Sequence, residues 1–337
     1  LNDSLRLGLI GLGRIGAFHA QTLSELPGVG SLVITDAVPA VTAQVAARVG
    51  AEAVDSPAKL LAAGVDGVLI AAATDAHPEL LLAAVEAGLP TFCEKPLARD
   101  AADALAVAER VRATGVPVQI GYPRRFDPGF LAARAAVAGG ELGWLHTVRS
   151  TTLDPAPPPG AYIAASGGIF RDCAVHDFDA VRWVTGREVV EVYATGSNRG
   201  EQFFTEVGDV DTAAALLTLD DGTLAVISNS RYNARGYDVR LELHGSADSV
   251  AAGLDDGLPL RSTEPGVTFP AGPAHGFFMD RLAAAFRAEL AAFARVVAGE
   301  LPSPCTVGDA MEVVWIAEAA ALSLQEHRPV RIEEVRA

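Results

Sequence analysis

The sequence predicts an α/β protein: a doubly wound parallel sheet in the first third, then a second α/β domain with an open mixed, largely antiparallel sheet. Three observations carry this expectation. Short apolar runs alternate with helix-compatible stretches as far as Gly121, glycine recurs just past successive helices, and beyond Gly121 the apolar period shortens to two. The 337 residues suit two domains, drawn at 1–121 and 122–337, with the last helix able to pack back on the first.

Residues 5–10 read as a buried strand and 14–26 as the helix after it. Strand 31–35 and helix 39–49 follow, with Gly50 as the helix stop. Strands at 67–72, 90–93 and 117–121 alternate with helices at 78–87 and 101–114, which end at Gly88 and Gly115. Strands apolar throughout suit a sheet covered on both faces. In the second part, helices at 130–138 and 169–184 are interleaved with alternating segments at 146–152, 188–196, 210–219, 224–230 and 239–244. Within the last of these, Val239, Leu241 and Leu243 share one face while Arg240, Glu242 and His244 share the other, as a half-covered sheet requires. Asp221-Gly222 marks a hairpin, 255–276 an irregular loop rich in Pro and Gly, and 280–298 and 307–326 two final helices.

Lys+Arg number 26 against 42 Asp+Glu, for a net charge of −16. Such a surface repels phosphate backbones and no basic run offsets it, so neither nucleic acid nor an anionic membrane is an expected partner. No unbroken apolar stretch of about 18 residues is long enough to span a bilayer. The first residues lack the basic-then-apolar order of a secretory signal, and Cys93, Cys173 and Cys305 are odd in number with no C-x-x-C spacing. A soluble cytoplasmic protein is expected. Cys93, Cys173 and His176 form no close ligand set, so no metal is expected.

An acidic protein can still hold a phosphate through backbone amides. Gly11-Leu12-Gly13-Arg14-Ile15-Gly16 lies between the first strand and first helix, and Asp36 ends the second strand twenty positions past Gly16. Gly11 permits the tight turn, Gly13 lets the backbone approach a pyrophosphate, and Gly16 lets helix pack on strand. Asp36 can accept two hydrogen bonds from a ribose and repels a 2′-phosphate, so NAD is expected over NADP, with Arg14 and Ile15 completing the cradle.

Glu94-Lys95-Pro96 ends the fourth strand, at the sheet edge that faces ligands in this kind of fold. Lys95 then falls where a nicotinamide would lie; the alternative is a surface lysine at a turn. Further on, Asp172 and His176 are four apart, and on one helix they share a face. Oxidising an alcohol needs a base for the hydroxyl proton and a positive group for the developing alkoxide. His176 titrates in the right range and Lys95 can supply the charge. The alternative is a helix-cap aspartate and a structural histidine.

The glycine turn, Thr74-Asp75-Ala76-His77, Glu94-Lys95-Pro96 and the block from Gly167 to Asp179 resemble the Gfo/Idh/MocA oxidoreductases over nearly the whole chain. Asp154-Pro155-Ala156-Pro157-Pro158-Pro159 and His176-Asp177-Phe178-Asp179 look most like the inositol 2-dehydrogenase branch. The resemblance implies an N-terminal Rossmann domain, a C-terminal domain with an open sheet, and often a tetramer built by sheet-face packing, with a dimer as the simpler homo-oligomer. It makes Lys95, Asp172 and His176 the catalytic trio, with His176 the base, and sets Thr74, His77 and Glu94 along the cofactor. It also makes Arg124 and Tyr237 substrate contacts. Arg124 can instead pair with Asp127 or Asp179, Tyr237 can be a sheet-edge tyrosine, and Asp154 opens either a pocket wall or a linker. Leu153 and Pro123 depart from the branch's pattern beside the expected pocket.

Together these readings predict NAD-dependent oxidation of one secondary hydroxyl of a neutral cyclitol or sugar. The rivals are an NAD-using glycosidase of the same fold and a non-catalytic NAD- or sugar-sensing protein.

Overall fold

The structure is a computed structural model that describes residues 4–336. The chain divides into two compact units, one running to Pro123 and including Phe286–Met311, the other formed by Arg124–Ala285 and the residues from Glu312 on.

In the first unit, the apolar runs pair as parallel strands β1 (Leu5–Ile10), β2 (Val29–Thr35), β3 (Glu52–Ala53), β4 (Gly67–Ile70), β5 (Thr91–Glu94) and β6 (Val118–Gly121). Their order is β3-β2-β1-β4-β5-β6, the doubly wound arrangement in which chain order reverses between β1 and β4. Helices α1 (Arg14–Ser24), α2 (Pro39–Val49), α3 (Pro57–Leu61), α4 (His77–Glu86) and α5 (Ala101–Thr114) supply the crossovers. Glycines at positive φ stop α2 and α5 at Gly50 and Gly115. The pair β3 and α3 is absent from the sequence reading: a two-residue strand and a five-residue helix are too short to show a period.

In the second unit the elements run α6 (Pro128–Ala138), β7 (Leu145–Leu153), α7 (Gly160–Ser166), α8 (Ile169–Asp172), α9 (Val175–Thr185), β8 (Val189–Ser197), α10 (Phe203–Glu206), β9 (Thr212–Leu219), β10 (Leu224–Ser230), β11 (Asp238–Gly245) and β12 (Ser249–Ala252). Then come α11 (Phe278–Arg281), α12 (Ala283–Val297), α13 (Val307–Glu326) and β13 (Val330–Arg331), the unit boundary falling within α12 and within α13. The sheet order is β12-β11-β7-β10-β9-β8-β13; β7 and β10 are parallel and all other pairs antiparallel. Alternation decides its faces. Ala213, Ala215, Leu217 and Leu219 of β9 are buried, while Leu216 between them is exposed.

Two boundaries differ from the sequence reading. Residues 286–311, there counted with the second domain, belong to the first unit, because Leu290, Phe293 and Val296 share one buried cluster with Leu7, Leu9 and Leu69 of its sheet. The helix read at 169–184 is two helices. Cys173 N and Ala174 N both donate to Ile169 O, each at 2.9 Å, and the wider second step inserts a π-type turn between α8 and α9.

Candidate active site

In the first unit the predicted cofactor residues leave the parallel sheet at its carboxyl edge: the glycine turn after β1, Asp36 after β2, Thr74 and His77 after β4, and Glu94 and Lys95 at the end of β5. Gly11 holds φ at +92°, and a Cβ there would meet Ala72 N at 2.4 Å. A Cβ on Gly16 would meet Gly11 O at 2.0 Å, so helix and strand touch only because both residues are glycine. Gly13, the N-cap of α1, is different. It is exposed, nothing lies within 4 Å of where its Cβ would be, no side chain caps the helix, and the first turn holds no acid. Amides and helix dipole thus face open space, which fits a pyrophosphate. Arg14 and Ile15 open the same helix, Arg14 exposed and Ile15 half-buried.

Asp36 is half-buried, and its Oδ2 accepts from Leu12 N at 2.6 Å while Oδ1 accepts from Val38 N at 2.8 Å. It therefore sets the shape of the glycine turn, and each oxygen keeps a second lone pair for a ribose. Thr74 lies half-buried in a 3₁₀ turn before α4.

Two buried histidines bracket the Lys95 turn. His19, on α1, places Nε2 2.7 Å from Glu94 Oε1. His77 places Nδ1 2.7 Å from Pro96 O and Nε2 3.0 Å from Ala72 O, so one ring joins the end of β4 to the turn after β5. Lys95 is half-buried and precedes Pro96 through a cis peptide bond. His19 is missing from the sequence reading; its signal was a histidine eight positions past Gly11, on the buried face of an amphipathic helix.

The second unit carries the other candidates. Asp172 ends α8 and His176 lies in the first turn of α9, so the inserted turn separates them and the shared-face argument from a single helix does not hold. Both are half-buried. Asp172 Oδ1 accepts from Tyr162 Oη at 2.9 Å and Oδ2 accepts from Arg231 Nη2 at 2.7 Å. Arg231 also donates through Nη1 to Asp154 Oδ2 at 3.0 Å. Neither Arg231 nor Tyr162 figures in the sequence reading. Arg231 had a signal in register: it follows β10 as Asp154 follows the parallel strand β7, and the paired residues Ser230 and Leu153 end both strands together.

Arg124 is paired with an acid that the sequence reading did not name. Only 2% exposed, it donates from Nη1 to Asp177 Oδ1 at 2.8 Å and from Nη2 to Thr152 Oγ1 at 2.6 Å. The ion pair weighed as the alternative is present, with Asp177 as partner rather than Asp127 or Asp179. Burial opposes the guanidinium charge, but Asp177 outweighs it and the Arg124 pKa is raised. Asp177 further accepts from Ser150, Thr152 and Asn229, so its buried carboxylate is fully satisfied. The neighbouring Arg125 pairs with Asp179 at 2.6 Å. Tyr237 is 5% exposed, and burial pushes its phenol pKa up.

Among the described residues, no group of three His, Cys, Asp or Glu could hold a metal, and no helix is long and apolar enough to cross a membrane.

Sheet order, glycine turn and acid after β2 define a dinucleotide-binding Rossmann domain. The family model "Oxidoreductase family, NAD-binding Rossmann fold" matches residues 5–122, and "GFO/IDH/MocA C-terminal domain" matches 130–251. Myo-inositol dehydrogenase Hyg17 of Streptomyces leeuwenhoekii is 39% identical over 325 residues, covering 95% of this chain and 98% of its own. Inositol 2-dehydrogenase of Rhizobium meliloti is 37% identical, covering 98% and 99%. The crystal structure of scyllo-inositol dehydrogenase from Lactobacillus casei with bound NAD(H) and scyllo-inositol has a TM-score of 0.88 at 27% identity, covering 98% of this chain and 100% of that one. The chain belongs to the Gfo/Idh/MocA family of NAD-dependent oxidoreductases.

Proposed function

We propose that this enzyme oxidises one secondary hydroxyl of an inositol or a closely related cyclic polyol. The observation that carries this reading is the conjunction of an uncapped, acid-free helix N-terminus at Gly13 with Asp36 beside it, in a chain whose full-length relatives are named inositol dehydrogenases. Gly11, Gly13, Arg14, Ile15 and Gly16 would hold the pyrophosphate, Asp36 the adenosine ribose, and Thr74, His77 and Glu94 the remaining length of NAD. Bound there, NAD supplies the hydride acceptor.

The chain's own groups supply the proton chemistry. His176 takes the hydroxyl proton, the Lys95 ammonium stabilises the developing alkoxide, and Asp172 orients the group beside it. Asp154 and Tyr237 bound the polyol's pocket in this reading, and Arg124 acts only as a buried support. Residues 1–121 serve the cofactor; 124–285, with those from Glu312 on, serve the substrate and, through the sheet, self-association. Tyr193, Leu216, Leu224 and Val226 leave an apolar band on the open face of that sheet, which supports a homo-oligomer, a tetramer or a dimer. Cys93, Cys173 and Cys305 are buried with no disulfide among them, which supports a cytoplasmic location.

A panel of initial rates tests the reading: NADH formation with myo-inositol, scyllo-inositol, glucose, levoglucosan and a uronic acid, repeated with NADP. Turnover is expected with an inositol and NAD. Preference for NADP would overturn the role of Asp36, and turnover of the uronic acid alone would overturn the neutral polyol.

A further inference from the structure

Asp154 and Asp172 lie eighteen positions apart in the second unit, yet one guanidinium holds both. The topology makes this possible. β7 and β10 run parallel and end in register, so Asp154 and Arg231 leave the same sheet edge side by side, where Asp154 N also donates to Ser230 O at 2.9 Å. Between Asp154 and α7 the chain reads Pro155-Ala156-Pro157-Pro158-Pro159, a stiff extended segment with few donors of its own. Its far end returns to the same place. Tyr162, on the first turns of α7, donates to Asp172 Oδ1 at 2.9 Å. The proline strap is thus fastened at one end by Arg231 on Asp154 and at the other by Tyr162 on Asp172, while Arg231 and Asp172 are bonded to each other.

We propose that Arg231 and Tyr162 are positioning residues: they fix the Asp172 carboxylate and fasten both ends of the 154–162 strap as one wall of the polyol pocket. This rests on the reading that Asp172 acts on the polyol. The Arg231 side chain is 4% exposed, so its bonds to the two carboxylates face little competition from water. Burial opposes its charge, but the carboxylates of Asp172 and Asp154 on either side of it prevail and its pKa is raised. Tyr162 is the opposite case. It is 46% exposed, and its hydroxyl reaches inward to donate to Asp172. A wall held this way stays in place before substrate arrives, and its rigidity belongs to polyol affinity rather than to NAD.

The test uses steady-state kinetics of the full chain at saturating NAD, with the polyol that the panel turns over fastest. Tyr162→Phe removes one hydroxyl at an exposed site, which leaves folding intact. It is expected to raise the polyol KM about tenfold with kcat changed by less than about threefold. Asp154→Asn is expected to do the same. Because both changes release one strap, the double variant is expected to be no worse than the weaker single variant. Arg231→Lys keeps the charge but not the fork, and is expected to retain more kcat than Arg231→Gln. NAD affinity, read by quenching of protein fluorescence, is expected to stay at the wild-type value in all five.

An unchanged KM in Tyr162→Phe, or multiplying effects in the double variant, would overturn the proposal. Asp172→Asn separates it from the reading beneath it. Wild-type kcat in Asp172→Asn removes the role of Asp172 itself. Loss of kcat there, with wild-type KM in Tyr162→Phe, removes only the strap.

Discussion

His19 Nε2 lies 2.7 Å from Glu94 Oε1, joining the helix that follows the glycine turn to the residue before Lys95. The rings of Phe18, Phe92 and Phe286 surround the imidazole, so water does not compete for the bond. His19→Leu strips Glu94 of this partner while filling the space. The expected cost is about 1–3 kcal/mol, seen as a lower thermal midpoint, with partial recovery in His19→Gln. A His19→Leu melt that superimposes on wild type would show the bond to be idle.

The Arg124–Asp177 pair is expected to act on stability before it acts on catalysis. Asp177→Ala leaves a guanidinium buried without its carboxylate, which costs about 3–5 kcal/mol. Urea unfolding reads this as a shifted midpoint. A shift below about 1 kcal/mol would mean that water reaches Arg124, and would reopen a substrate contact for it.

Alkaline pH is expected to destabilise the fold. Burial raises the thiol pKa of Cys93 and Cys173 from 9.0, and the phenol pKa of Tyr237 from 10.0. Above those ordinary values the unfolded chain releases these protons while the folded chain keeps them, so the folded state binds more protons and loses stability as pH rises. Each such group removes about 1.4 kcal/mol per pH unit across its window. Their contribution is complete below about pH 8 and declines from there upward. Denaturant midpoints at neutral and strongly alkaline pH check the sign, and a midpoint that holds or rises would contradict it.

What the sequence disclosed and what it hid follow one rule. The parallel sheet was legible because its strands are short apolar runs and glycine closes successive helices between them, and the glycine turn because its chemistry is local. The break between α8 and α9 was not, since the five-residue step at Ile169 has no composition of its own. Residues 286–311 misled for a different reason. An amphipathic helix states that it covers an apolar surface, but Leu290 and Phe293 do not state which one. Arg231 and His19 went unread because each acts through a partner far along the chain, Asp154 or Asp172 for one and Glu94 for the other. Strand register brings Arg231 beside Asp154, while helix packing brings His19 to Glu94 and Asp172 to Arg231.

The account stands most directly on where the carbinol hydrogen goes. An inositol carrying deuterium on its ring carbons, incubated with NAD and the enzyme, is expected to yield NADH with one deuterium at nicotinamide C4 and a matching inosose. Release of a sugar from a glycoside without net NADH, or NADH that carries no deuterium, would contradict it.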